Sequence, residues 1–194
     1  LTQQSNRFNP SPRYRELIGL YQSLHVEGDK LHDIPADQTF DGQSLIGHVV
    51  TIAQLVADFG IQTVLDYGSG KAQGYDNWKG KRSGEPVTGL KAIWGVDDIT
   101  LYDPAYVPNS TPPTGKFDLV ICTDVLEHCP EEDIPWIVGE IFGLSRKFRL
   151  LHGGHLSGQE ASAQRRKRPL YLEVDCLVES CVRRILWAPL QSLL

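Results

Sequence analysis

Two short segments place ionisable groups beside residues that let a backbone turn tightly. Asp66-Tyr67-Gly68-Ser69-Gly70 follows the apolar run Ile61-Gln62-Thr63-Val64-Leu65, and Thr123-Asp124-Val125-Leu126-Glu127-His128 follows Phe117-Asp118-Leu119-Val120-Ile121-Cys122. Glycines directly after a strand allow a sharp turn and close approach of a ligand to the main chain. Ligands of open α/β sheets sit outside the carboxyl ends of the strands, where such turns lie. A dinucleotide site wants G-x-G-x-x-G opening a helix toward a pyrophosphate. Asp66 stands two residues before Gly68, and an anion there is unfavourable beside a pyrophosphate. The acid instead suits a ligand carrying positive charge, such as an amino group or a sulfonium. His128 is a candidate general base, because an imidazole titrates near neutral pH.

Alternating elements must position these groups. Apolar residues at Tyr14, Leu17, Ile18, Tyr21 and Leu24 recur at helical spacing between Arg13 and His25. A second helix is expected from Ser44 to Phe59, with Leu45, Val49, Ile52, Leu55, Val56 and Phe59 on one side and Gly60 as its stop. Ile61–Asp66 reads as a short buried strand. Beyond the polar stretch Gln73–Gly89, two spans compete for the second strand: Ala92–Val96 and Ile99–Tyr102. Phe117–Cys122 is the apolar run of a parallel strand covered on both faces. Asp133 is placed to cap a helix over Ile134–Lys147. Strands alternating with helices indicate an α/β fold with a parallel sheet.

The motifs together resemble the class I S-adenosylmethionine-dependent methyltransferases. The first motif of that family, acid-x-Gly-x-Gly after strand one, corresponds to Asp66-Tyr67-Gly68-Ser69-Gly70, with Ala72 where a third glycine is often found. F-D-L-V followed by D-V-L-E-H is similar to the family's fourth strand and the loop after it. The resemblance spans about residues 44–148 and implies a Rossmann-like sheet of the methyltransferase type, incomplete on its C-terminal side. It implies that Asp66, Tyr67, Gly68, Ser69 and Gly70 border the methionine part of S-adenosyl-L-methionine. Thr123 and Asp124 would face cofactor and substrate, and Asp124 and His128 are the catalytic candidates. It also implies an acid after strand two whose two oxygens each take one ribose hydroxyl. That acid is Asp103 if the strand is Ile99–Tyr102, and Asp97 or Asp98 if it is Ala92–Val96. The Pro/Thr-rich loop Val107–Lys116, where adenine contacts commonly lie, holds no acid. The expected activity is methyl transfer to an unidentified small-molecule or macromolecular acceptor. The alternatives are a truncated or inactive methyltransferase-like binding protein and an NAD-dependent Rossmann oxidoreductase.

Composition narrows the classes. The chain has 194 residues, is 41% hydrophobic and carries a net charge of −5, which does not indicate nucleic acid. No run approaches a membrane span, and four cysteines without regular spacing favour a reducing, cytoplasmic setting. Neither His128 with Cys129 nor His152-Gly153-Gly154-His155 has the further partners of a metal site, so none is expected. Methionine is absent, so Leu1 is read as the start of a fragment or a processed chain. Residues 1–148 hold 12 Lys and Arg against 20 Asp and Glu, whereas residues 149–194 hold 7 against 4. This divides the chain into an arm and helix (1–40), a methyltransferase-like domain (41–148) and a tail (149–194). A fifth strand should begin near Phe148, yet the tail offers glycines and the basic run Arg165–Arg168. Codons compatible with Gly154–Ser162, read one base on, give A-T-Y-P-A-K-K-R, and the extended shifted reading supplies V-F-C-T-V-A as the missing strand. The tail is therefore expected to be out of frame, which sequencing of the gene decides.

Overall fold

The computed structural model describes residues 5–152. Among these, the strands are β1 (Thr63–Tyr67), β2 (Lys79–Arg82), β3 (Glu85–Thr88), β4 (Asp98–Tyr102), β5 (Phe117–Thr123) and β6 (Ser145–His152). The α-helices are α1 (Pro12–Glu27), α2 (Val49–Phe59), α3 (Leu90–Trp94) and α4 (Ile134–Leu144). Four strands make one parallel sheet in the order β4-β1-β5-β6, and β2 with β3 forms a separate antiparallel hairpin. The fold is thus α/β, compatible with a Rossmann-like sheet. From β1 the chain passes outward to β4 and then returns across β1 to β5, which makes the β1/β5 boundary a topological switch point.

Both faces of the sheet are covered, which explains the continuous apolar runs. Alternation along β1 and β5 sends Val64, Leu119 and Ile121 to one face, where Ile52 and Val56 of α2 and Leu90 and Trp94 of α3 close over them. Leu65, Val120 and Cys122 point to the other face and meet Ile137 and Ile141 of α4. At the amino end of the sheet, Asp118 fastens β5 to β1. Its Oδ2 accepts from the Gln62 and Thr63 amides at 2.9 and 3.3 Å, and its own amide donates to Thr63 Oγ1 at 3.0 Å. The acid of the F-D-L-V pattern is therefore a structural clamp at the end of the sheet remote from the glycine turn.

Helix α1 crosses the carboxyl end of the sheet and is tied down at both ends. At the amino end, Arg7 pairs with Glu140, and the Ser11 amide donates to the buried Asp133 Oδ1 at 3.0 Å. Trp136 Nε1 donates to the same Asp133 oxygen at 2.8 Å, and Tyr14 packs edge-on against the Trp136 ring. At the far end, Thr39 Oγ1 donates to the Leu24 carbonyl, and Lys71 Nζ to the Ala36 carbonyl. Burial raises the pKa of Asp133, but hydrogen bonds from Ser11 and Trp136 outweigh it and hold the carboxyl below its usual range. Asp133→Ala should strand two donors and destabilise the protein by about 2–4 kcal/mol in urea titration. Since the folded pKa is depressed, this difference is present above about pH 4 and is lost as the pH falls through the folded value. An equal loss at pH 3 and pH 7 would contradict this account.

The structure corrects three expectations. Ala92–Val96 is not a strand: Leu90–Trp94 is a short helix ended by Gly95 in the left-handed conformation, so the second strand is β4. The helix expected from Ser44 starts as a 3-10 segment, Gln43–His48, and becomes α-helical only at Val49, because Gly47 interrupts the helix-forming run. Gly60 does cap it, at φ 58°. The third correction concerns the helix expected to run to Lys147, which stops at Leu144; Ser145–His152 is a strand paired in parallel with β5. Phe148, Leu150 and Leu151 supply enough apolar surface to bury it, and the Arg149 guanidinium lies 4.2 Å from the Phe142 ring centroid. The described chain thus continues past Phe148 as the edge strand of the sheet. Residues 153–194, with His155 and the basic run, lie outside the described residues. Among those described, no helix is long and apolar enough to cross a membrane.

Candidate functional site

A cavity of about 320 Å3 opens at the carboxyl ends of β1, β4 and β5, under α1. Its lining includes Asp66, Tyr67, Gly68, Ser69, Gly70, Asp103, Thr123, Asp124 and His128 of the residues singled out in the sequence. Asp97 and Asp98 fall at the opposite end of the sheet, where Asp98 pairs with Thr63.

The turn after β1 is held from three directions. The Gly68 and Ser69 amides both donate to the Tyr102 carbonyl, at 2.7 and 3.1 Å. The Gly70 amide donates to Asp103 Oδ2 at 2.9 Å, the Lys71 amide to the Phe40 carbonyl and the Ala72 amide to the Ser69 carbonyl. Five consecutive N–H groups are thus engaged within the protein, and the next α-helix after the turn starts only at Leu90. A turn that receives a pyrophosphate presents free amides and a helix N-terminus to it; this one presents neither. Gly68, at φ +87°, and Gly70, at φ +55°, both take conformations that side chains rarely adopt. Ala72, in the place of the family's third glycine, is itself left-handed at φ 49°. Phe40 and Asp124, also at the cavity, share this conformation at φ 52° and 54°, so backbone strain gathers around the site.

The carboxylates differ in setting. Asp66 is 2% exposed, and the Tyr75 hydroxyl donates to its Oδ2 at 2.8 Å. Burial pushes its pKa up to about 7; the Tyr75 hydrogen bond opposes this and the charge of Asp103 adds to it. Asp103 caps the loop after β4 by accepting from the Ala105 amide at 2.8 Å and the Tyr106 amide at 3.2 Å through Oδ1. Asn109 Nδ2 buttresses the same turn, donating to the Gly70 carbonyl at 3.0 Å. The Asp124 amide donates to the His152 carbonyl at 2.8 Å, and its Oδ1 lies 3.3 Å from His152 Nδ1. The ring of His128 meets Tyr21 edge-on at 6.0 Å. His25, buried between Phe40 and Tyr106, is held below the usual imidazole range by desolvation, with Asp103 opposing and Lys71 reinforcing.

Several of these residues escape sequence reasoning. Tyr75 follows Asp66 by nine positions with no pattern to mark it, and Asn109 lies in an irregular loop. The α1 stripe of Tyr14, Leu17, Ile18 and Tyr21 is legible as an apolar face, but it lines the cavity, with Tyr14 also packed against the core. Cys122 is a core residue, as its place in an apolar run suggests. Among the described residues no group of three or more His, Cys, Asp or Glu is arranged to hold a metal ion.

Fold and site together define an α/β protein with an acidic cavity at the switch point of a parallel sheet. Comparison with family models, curated proteins and solved structures gives no match to this chain.

Proposed function

We propose that the chain binds S-adenosyl-L-methionine in this cavity and transfers its methyl group to an acceptor. The observation that carries the reading is Asp66: a carboxylate buried at the floor of a cavity, with Tyr75 as its one hydrogen-bonded side chain and its pKa raised by desolvation. A cationic group set against it recovers the ionisation that burial opposes. The residues present fit the cofactor. Asp66 and the Gly68–Gly70 turn would hold its methionine end, and Asp103, which ends β4, would hold the ribose hydroxyls. When bound, the cofactor supplies a methyl group already activated by a sulfonium. The protein's remaining task is to orient the acceptor and exclude water, which proximity alone can make effective. That is consistent with a cavity whose polar groups are spread around the walls. The engaged amides of the glycine turn weigh against the dinucleotide alternative.

Calorimetric titration of the full chain with S-adenosylhomocysteine and, separately, NAD tests the reading. S-adenosylhomocysteine should bind at one site and NAD should give no measurable heat. Asp103→Ala should weaken S-adenosylhomocysteine by about tenfold or more, the worth of a hydrogen bond to a charged group. Tight binding of NAD, or indifference of S-adenosylhomocysteine to Asp103→Ala, would overturn it.

A further inference from the structure

The charge and the walls of the cavity also constrain the second reactant. Asp41, Asp66, Asp103 and Asp124 line it, and among the described residues no Lys or Arg does. Cations of adjoining segments are committed elsewhere: Arg7 forks onto Glu140, and Lys71 reaches the Ala36 carbonyl and Thr39 Oγ1. An aromatic wall lines the same cavity. Tyr21 of α1 stands edge-on to Phe40, with ring centroids 5.6 Å apart, and to His128 at 6.0 Å. Tyr14 and Tyr75 complete the wall. Carboxylates and aromatic faces attract cations and repel anions.

Methyl acceptors divide along this line. Oxygen and carbon nucleophiles commonly attack as anions, whose formation is opposed by the carboxylates the cofactor does not engage, Asp41 and Asp124. An amine attacks as a neutral group and becomes a cation, which the same carboxylates favour. The volume acts too: a cavity of about 320 Å3 that also holds the cofactor leaves room for only a small acceptor.

We propose that the methyl acceptor is a small amine, held by the aromatic wall and the lining carboxylates; this rests on the cavity being the cofactor site. In the step, the nitrogen lone pair forms the new N–C bond, and the C–S bond breaks with its electron pair left on sulfur as a thioether. An amine that enters as the ammonium ion first releases one proton to solvent to free that lone pair, and the methylated product leaves as an ammonium ion.

The test uses the full chain saturated with S-adenosylhomocysteine and titrated with 2-phenylethylamine, 2-phenylethanol and phenylacetate. The amine should bind at least about tenfold more tightly than the alcohol, with phenylacetate weaker still. Tyr21→Leu should cost the amine about fivefold or more, and Tyr21→Phe, which keeps the ring face, should restore it. With S-adenosylmethionine, the amine alone of the three should yield S-adenosylhomocysteine. Equal binding of the alcohol or phenylacetate, or faster methylation of a lysine-containing peptide than of the amine, would overturn the proposal. Failure of S-adenosylhomocysteine to bind at all would instead overturn the cofactor reading on which it rests.

Discussion

Asp66→Asn should weaken S-adenosylhomocysteine binding at pH 8 by about 10–100-fold, the loss of a charge-assisted hydrogen bond of about 1.5–3 kcal/mol. The same substitution should make the unliganded protein more stable at that pH. The two effects share one cause. Burial lifts the Asp66 pKa to about 7, against about 3.9 in an unfolded chain. Between those values the folded protein retains a proton that the unfolded chain has released, so this group's contribution to stability falls as the pH rises from about 4 to about 7 and is flat above. Asparagine removes that loss and keeps an oxygen to accept from the Tyr75 hydroxyl. Thermal unfolding should therefore place the variant above the wild type at pH 8 and bring the two together near pH 4. Wild-type affinity for the ligand should rise with pH through about 7, while that of the variant stays level. A variant that binds as tightly as wild type at pH 8 would remove Asp66 from the site.

Gly68→Ala should lower stability by about 2–5 kcal/mol, combining a left-handed backbone cost with overpacking. A methyl on Gly68 would stand 2.2 Å from Val125 Cγ2, with the backbone at φ +87°. For a chain of this size, the expected fall in melting temperature is about 5–15 °C. The double variant Gly68→Ala/Val125→Ala should recover the steric part and leave the dihedral part, so the two substitutions will not add. A melting temperature for Gly68→Ala equal to wild type would refute the clash. At Gly70 the obstacle is different in kind: an added Cβ would lie 2.7 Å from the Phe40 carbonyl oxygen. The second glycine therefore makes room for the main chain at Phe40.

These details show where sequence reasoning reached and where it stopped. β1 and β5 are legible because strands buried on both faces leave uninterrupted apolar runs, such as Val64-Leu65 and Leu119-Val120-Ile121. The acids Asp66 and Asp124 and the glycines between are legible because a turn at a strand end restricts residue types. Asp103 could not be separated from Asp97 and Asp98 by sequence, because Ala92-Ile93-Trp94 has the apolar content of a strand while Gly89 and Gly95 bound it as one helical turn. β6 was missed because two apolar positions after Phe148 are too few to outweigh a central arginine, whose charge is accommodated over the Phe142 ring. Tyr75 and Phe40 were invisible as site residues, since only the folded chain brings them to the cavity.

The two-ended attachment of α1 has a kinetic meaning. Its polar ties are few: the Thr39 Oγ1 bond to the Leu24 carbonyl at one end, and at the other the Ser11 bond to Asp133 and, just ahead of the helix, the Arg7–Glu140 pair. Were these ties to open for a ligand, the helix would act on entry and exit alike, slowing both by the same factor and leaving the equilibrium constant where the cavity sets it. Under the proposed function, residence time and affinity would thus be governed by different residues: the anchors would set how often the cavity exchanges its contents, and the carboxylates what it holds.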